Sequence, residues 1–268
     1  MTTPARTDDD TTARPNAARM YDYWLGGYHN FAIDRAAADA LAAVNPDAPL
    51  MARANRAFLQ RAVAFLLAQG IRQFLDVGSG LPTRGNVHDL VRQARPAARV
   101  VYVDVDPVAV AHSRVLLEKT PTAAVIEADA RDPAALLDHP DTRRLLDFAR
   151  PVGVLLFTVL HFLPDREAHG LMRALRDATA PGSYVAISHG ASDPLPTDTL
   201  LKGTALYQRT SAPVYPRPRA EIEEFFAGLA PVSPGVVYLP AWRPTGPDDL
   251  LLDAPARACL LGGVGRRP

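Results

Sequence analysis

Two glycines and three carboxylates stand at intervals that could seat a nucleoside. The segment Leu75-Asp76-Val77-Gly78-Ser79-Gly80 is a short apolar run ending in two glycines. Gly78 and Gly80 permit a tight turn, and they let a ligand approach backbone that carries no side chain there. Asp104 closes a second apolar run, where a carboxylate can accept both hydroxyls of a ribose. Asp129, in Ala128-Asp129-Ala130, closes a third, where it can accept a hydrogen bond from an adenine amino group. Taken singly, each has an ordinary explanation as a strand-to-helix turn or a solvated loop carboxylate. Three strand ends in register are harder to explain that way.

The loop also separates one nucleotide from another. A dinucleotide site wants Gly-x-Gly-x-x-Gly, its third glycine allowing close helix packing beside a pyrophosphate. Here the third position is Thr83. Adenosine bearing a short, charged amino-acid tail fits this loop better than NAD does.

The elements that must position these residues alternate along the chain. Strands are expected at 72–77, 99–103, 124–127, 152–159 and 184–188, with helices at 87–94, 107–118, 134–148 and 166–179 between and after them. Strands alternating with helices imply a doubly wound parallel sheet whose carboxyl ends share one edge, where such sheets bind ligands. Ahead of it, two alanine-rich helices are expected at 34–43 and 49–69. The preceding segment holds Tyr21, Tyr23, Trp24 and Tyr28, broken by Gly26-Gly27, and reads as a lid over the ligand. Beyond the fifth strand a helix (219–227), a strand (236–239) and a final Gly-rich segment follow. The expected division is a disordered tail at 1–17, an N-terminal helical lid at 18–70, and a core at 71–268 with a Pro-rich insertion at 191–218.

Composition narrows the function classes. Basic and acidic side chains balance at 29 each, which gives no electrostatic footprint for nucleic acid or an anionic membrane. The longest apolar run, 152–160, is about half of what a bilayer span needs. A single cysteine, Cys259, excludes an internal disulfide and fits a cytoplasmic protein. The seven histidines are scattered without metal-ligand spacing, so no metal is expected.

With these residues in view, the chain resembles the actinobacterial family labelled S-adenosyl methyltransferase, within the class I S-adenosylmethionine-dependent methyltransferases. The resemblance rests on the segment from Ala18 to Gly27, on Asn55-Arg56-Ala57-Phe58-Leu59, on the stretch from Leu75 to Thr83, and on Gly85-Asn86-Val87-His88. It rests further on Val101-Tyr102-Val103-Asp104-Val105-Asp106-Pro107 and the terminal Gly263-Val264-Gly265-Arg266. It implies a Rossmann-like, mostly parallel sheet completed by a C-terminal antiparallel hairpin, and S-adenosylmethionine as cofactor. Asp76, Gly78 and Gly80 would then surround its methionine portion, and Asp104 its ribose. Val105 would lie against adenine with Asp129 and Ala130 at its edge, and Thr158 would face the sulfonium. The acidic or Asn-Pro-Pro-Tyr motif that marks amino-methylating nucleic-acid enzymes is replaced by Thr158-Val159-Leu160-His161. A small-molecule acceptor is therefore expected.

Methyl transfer needs alignment above all, and a base only where the acceptor carries a proton of high pKa. His161, just past the fourth strand, is the foremost candidate, with His189 behind it. Tyr21 and His29 belong to the lid, and Arg19, Asn55 and Arg56 could hold the cofactor carboxylate. Tyr207 and Tyr215 could line an acceptor pocket between the lid and the Pro-rich stretch. Two other readings remain open at this stage, a non-catalytic S-adenosylmethionine-binding protein and an NAD-dependent oxidoreductase.

Overall fold

The computed structural model describes residues 13–82 and 86–268. Thr83 and residues 1–12 of the expected tail lie outside the described residues. Within the rest of that tail, Asn16 caps the first helix, its side chain accepting from the backbone of Ala18 and Arg19.

Five strands make a parallel frame: β1 (Gln73–Val77), β2 (Arg99–Asp104), β3 (Ala123–Glu127), β4 (Gly153–Phe157) and β5 (Tyr184–Gly190). Three further strands, β6 (Ala230–Pro231), β7 (Val237–Tyr238) and β8 (Leu260–Arg266), extend it antiparallel, β8 pairing with β5, β6 and β7. The order is β3-β2-β1-β4-β5-β8-β6. The chain reverses its winding direction between β1 and β4, and a crevice opens at that point in sheets of this kind. This is the expected Rossmann-like sheet with its antiparallel C-terminal strands.

Three helices precede the sheet, α1 (Ala17–Trp24), α2 (Ala32–Val44) and α3 (Ala48–Ala68). The crossovers carry α4 (Val87–Ala94), α5 (Pro107–Leu117), α6 (Pro133–Asp138), α7 (Pro140–Leu145) and α8 (Asp165–Ala178). After β5 come α9 (Thr197–Tyr207) and α10 (Arg219–Glu224). The largely helical region expected over 134–148 holds two short helices, because Pro140 starts a new one with His139 as its cap. The strand expected to reach 159 stops at Phe157, since Thr158 turns the chain with φ of 54°. Helix α9 lies where only a Pro-rich stretch was expected. Its prolines, Pro194 and Pro196, sit just ahead of it, where proline does not disrupt a helix.

Side-chain alternation along the strands gives the sheet two covered faces. Phe74, Val100 and Tyr102 join Phe58 and Leu66 of α3 and the buried Trp242 on one face. Leu75, Val77, Val101 and Val103 join Leu136, Leu171 and Leu175 on the other. Each fully buried side chain of this size stabilises the fold by roughly 1.5–3 kcal/mol. The sheet is thereby a rigid base whose upper edge carries the ends of β1 to β4.

Candidate active site

The strand register decides where the chemistry-bearing residues meet. Val77 pairs with Val103 and Asp104 with Glu127, so the ends of β1, β2 and β3 lie side by side. At the end of β1 the chain turns through Gly78 and Gly80, with φ of 68° and 65°. Gly78 is doubly constrained, because a Cβ there would stand 2.3 Å from Cγ2 of Val159. Asp104 fastens the turn. Its Oδ2 accepts from Gly80 N at 2.6 Å and its Oδ1 from Asp106 N at 2.9 Å. A carboxylate oxygen has room for a second donor, so both oxygens keep capacity for a ligand. Burial pushes the Asp104 carboxyl up from its ordinary value, and these backbone donors hold it down in part. Asp76 is buried more completely in effect, and its carboxyl is pushed up to about 7 by desolvation against the opposing charge of Arg56.

Over this edge lies a cavity of about 1280 Å³. Tyr21, Asp76, Gly78, Gly80, Asp104, Val105, Asp129, Ala130, Thr158 and His161 all line it. Val105 is half exposed toward open space, an apolar platform beside Asp104. Asp129 is less free than its position suggests, since Arg131 donates to both carboxylate oxygens through Nε at 2.9 and 3.0 Å.

The N-terminal helices close the cavity from above. Arg19 is buried and donates from Nε to Asp34 Oδ2 at 2.8 Å, while its Nη1 reaches 3.6 Å from Asp106 Oδ2 at the end of β2. That ion-pair chain ties α1 to α2 and both to the sheet edge. Tyr21 donates its hydroxyl to Ala52 O at 2.9 Å and receives Asn55 Nδ2 at 3.1 Å. Asn55 Oδ1 accepts from Ser188 Oγ at 2.6 Å, and Ser188 Oγ in turn accepts from Thr158 N. The strained Thr158 is thus held by a buried relay running from α1 to β5. On the far side the segment 191–218 completes the wall, with Tyr207 and Tyr215 both lining the cavity as expected. Ser211 N donates to Pro15 O at 2.9 Å and joins this segment to the chain before α1.

The two histidines have distinct fates. Gly190 N donates to His161 Nδ1 at 3.0 Å. A backbone N–H only donates, so Nδ1 carries the lone pair and the ring proton sits on Nε2. Burial, with His189 and Arg217 nearby, holds the ring well below its ordinary pKa. His161 thus presents a donor, while the lone pair that a general base would use is engaged by Gly190 N. His189 lies off the cavity wall. Its Nε2 accepts from Arg217 Nη1 at 2.8 Å, its Nδ1 faces Gly190 O at 2.9 Å, and burial drives its pKa down to about 3. It is a packing residue.

Several cavity residues were not singled out in the sequence. Ser79 Oγ, Asp22 Oδ1, Trp24 Nε1 and Glu167 Oε2 are shut from solvent without a hydrogen-bond partner among the described residues, and their residues all line the cavity. Buried polar atoms are nearly always partnered. Glu167 stands in the first turn of α8 and Phe162 in the turn after β4. No local spacing advertises either, because only the sheet brings their segments to this edge.

Known proteins place the chain. Residues 3–268 match the family described as S-adenosyl methyltransferase. A protein of Thermobifida fusca assigned as a methyltransferase has a crystal structure with a TM-score of 0.90 and 41% identity, covering 97% of this chain and 96% of that one. A DUF574 family protein from Streptomyces avermitilis gives a TM-score of 0.88 at 38% identity, over 96% of this chain and 99% of that one. The pyocyanin biosynthetic protein PhzM shares the fold alone, at 20% identity and a TM-score of 0.51, over 83% of this chain and 59% of that one. No curated protein matches the chain. The family match over residues 3–268, with the 41% identical relative covering nearly all of the chain, makes it a member of the S-adenosyl methyltransferase family and an S-adenosylmethionine-dependent methyltransferase.

Proposed function

We propose that this cavity transfers the methyl group of S-adenosylmethionine to a small molecule entering between α1 and α9. The carrying observation is the meeting of Asp76, Gly78, Gly80 and Asp104 at one strand edge, where all four line the cavity. Bare glycine backbone and a carboxylate with spare acceptor capacity suit an amino-acid tail and a ribose. When bound, S-adenosylmethionine supplies a methyl group already activated by a sulfonium.

The chain's own residues would bind and orient. Gly78 and Gly80 admit the amino-acid tail against bare backbone, with Asp76 and Ser79 at hand for its polar end. Asp104 has acceptor capacity for the two ribose hydroxyls. Val105 and Ala130 offer apolar contact for adenine. Asp129 is already chelated by Arg131, so Glu167, whose Oε2 lacks a partner, is the better acceptor for the adenine amino group. Thr158 and Tyr21 stand where the β4 turn meets α1, which suits them to the sulfonium region. Residues 18–70 act as the lid and exclude water. Excluding nucleic acid from the acceptors rests on the balanced charge. A cytoplasmic site of action is supported by the single cysteine, and an actinobacterial origin by the source of the two close relatives.

Calorimetric titration with S-adenosylhomocysteine tests the binding half, with saturable binding expected and none with NAD. Transfer of labelled methyl from S-adenosylmethionine to a protein-free cell extract tests the rest. Binding without any labelled small molecule would favour a regulatory, non-catalytic protein.

A further inference from the structure

Among the described residues four glycines line the cavity, and three of them have a reason in the backbone or the packing. Gly78 and Gly80 turn with positive φ, and a Cβ on Gly190 would come 3.3 Å from His161 Nδ1. Gly203 has neither reason. It sits inside α9 with helical backbone, and a Cβ there would meet no atom within 4 Å. Close packing of α9 on its neighbours therefore does not require a glycine. Glycine inside a helix is unfavourable relative to alanine, because its backbone has more freedom to lose on folding.

The rest of α9 shows which way the bare spot faces. Thr199, Leu200, Thr204 and Tyr207 line the cavity with Gly203, whereas Asp198, Leu201, Lys202 and Ala205 are exposed. Residues three or four apart share one helix face, so Gly203 stands in the middle of the lining face, between Thr199 and Tyr207. The open space beside it is the cavity. What the segment 191–218 contributes to the lining includes no charged side chain; Leu195, Leu200 and Val214 are among it. The Phe162 ring joins this end of the cavity, 6.1 Å from that of Tyr207. Asp76, Asp104 and Asp129 lie at the strand edge instead.

Resting on the methyl-transfer reading, we infer that Gly203 determines acceptor specificity: its bare backbone makes room for an uncharged, apolar part of the acceptor, and the side chain at 203 sets how large that part can be. Leu200, Tyr207 and Phe162 bury this part, while the charged strand edge is left to the cofactor. The helix gives up some stability at one position, and the pocket gains depth there.

The test uses the full-length protein, methyl-tritiated S-adenosylmethionine and the protein-free extract of the cells that make it. Gly170 is the control. It lies inside α8, a Cβ there would also meet nothing within 4 Å, and it is not part of the cavity wall. Gly203→Ala and Gly170→Ala should each raise the melting temperature by about 2 °C. Only substitution at 203 should slow label transfer. At limiting extract the rate should fall about threefold in Gly203→Ala and about tenfold or more in Gly203→Leu, and it should recover as the extract is concentrated. Calorimetry should show S-adenosylhomocysteine affinity unchanged in both, and the labelled wild-type product should be retained on a reversed-phase column. Should Gly203→Leu not fold, the alanine variant carries the same comparison. Label transfer at the wild-type rate by the Gly203 variants overturns the role of Gly203 while leaving the transferase intact. An unretained product overturns the apolar character of the acceptor. Loss of S-adenosylhomocysteine binding in Gly203→Ala overturns the placement, by putting Gly203 at the cofactor. Absence of any labelled product from the wild type, with S-adenosylhomocysteine still bound, overturns the transfer reading itself and this inference with it.

Discussion

At the scale of single residues, a backbone N–H decides what His161 can do. With Nδ1 occupied by Gly190, the ring titrates well below its ordinary pKa, so the pH–rate profile should show no inflection from it near neutrality. His161→Gln should leave the shape of that profile unchanged, and a lost inflection would restore the base. Asp76 behaves oppositely. Its folded pKa of about 7 lies above the ordinary 3.8, so its protonation stabilises the fold at low pH. That stability is lost as pH rises from about 4 through 7, by on the order of 4 kcal/mol. Denaturant melts of wild type and Asp76→Asn across that window should show the slope in wild type and not in the variant. A third expectation separates the two carboxylates at the adenine end. Glu167→Gln should narrow the preference for S-adenosylhomocysteine over S-inosylhomocysteine by roughly tenfold, with Asp129→Asn having little effect. The reverse result would return the adenine edge to Asp129. Asp104 and the glycines were legible from the sequence because their signal is local. Glu167 was not, since only the fold brings the first turn of α8 to the cavity beside Asp129 and Arg131. The tautomer of His161 depends on Gly190, a contact between separate strand ends that no spacing encodes.

Among the elements, α1 carries the most consequence for its length. Its eight residues are pinned by Arg19, whose guanidinium meets Asp34, Arg14 O and Asp106 and lies 5.2 Å from the Phe31 ring. Arg19→Met would leave Asp34 buried without its cation, at a cost of about 3–5 kcal/mol. Thermal unfolding should report that loss, and hydrogen exchange should show α1 opening while the sheet stays protected. An unchanged melting temperature would mean that the lid is held by its apolar contacts instead. The sequence showed an aromatic segment broken by Gly26-Gly27 and suggested a lid, because aromatic density is visible without knowing contacts. Helix α9 was hidden by the prolines around it. It buries no residue completely, so it lacks the apolar stripe by which helices are recognised.

For the molecule as a whole, the sheet was legible because buried parallel strands announce themselves as apolar runs between helices. The antiparallel finish was less so. β8 is glycine-rich, and its glycines answer to crowding: a Cβ on Gly262 would sit 2.5 Å from Ile187 O and 2.9 Å from Phe58. Gly262→Ala should therefore destabilise the entire fold rather than a local segment, and its denaturant midpoint should fall with no separate transition. The bond between Ser211 and Pro15 has its consequence in time rather than in shape. It fastens the stretch before α1 to the stretch after α9, both of which contribute residues to the cavity wall, so parting them requires that bond to break. Turnover paced by that parting would show a burst of first product followed by a slower, viscosity-sensitive steady rate.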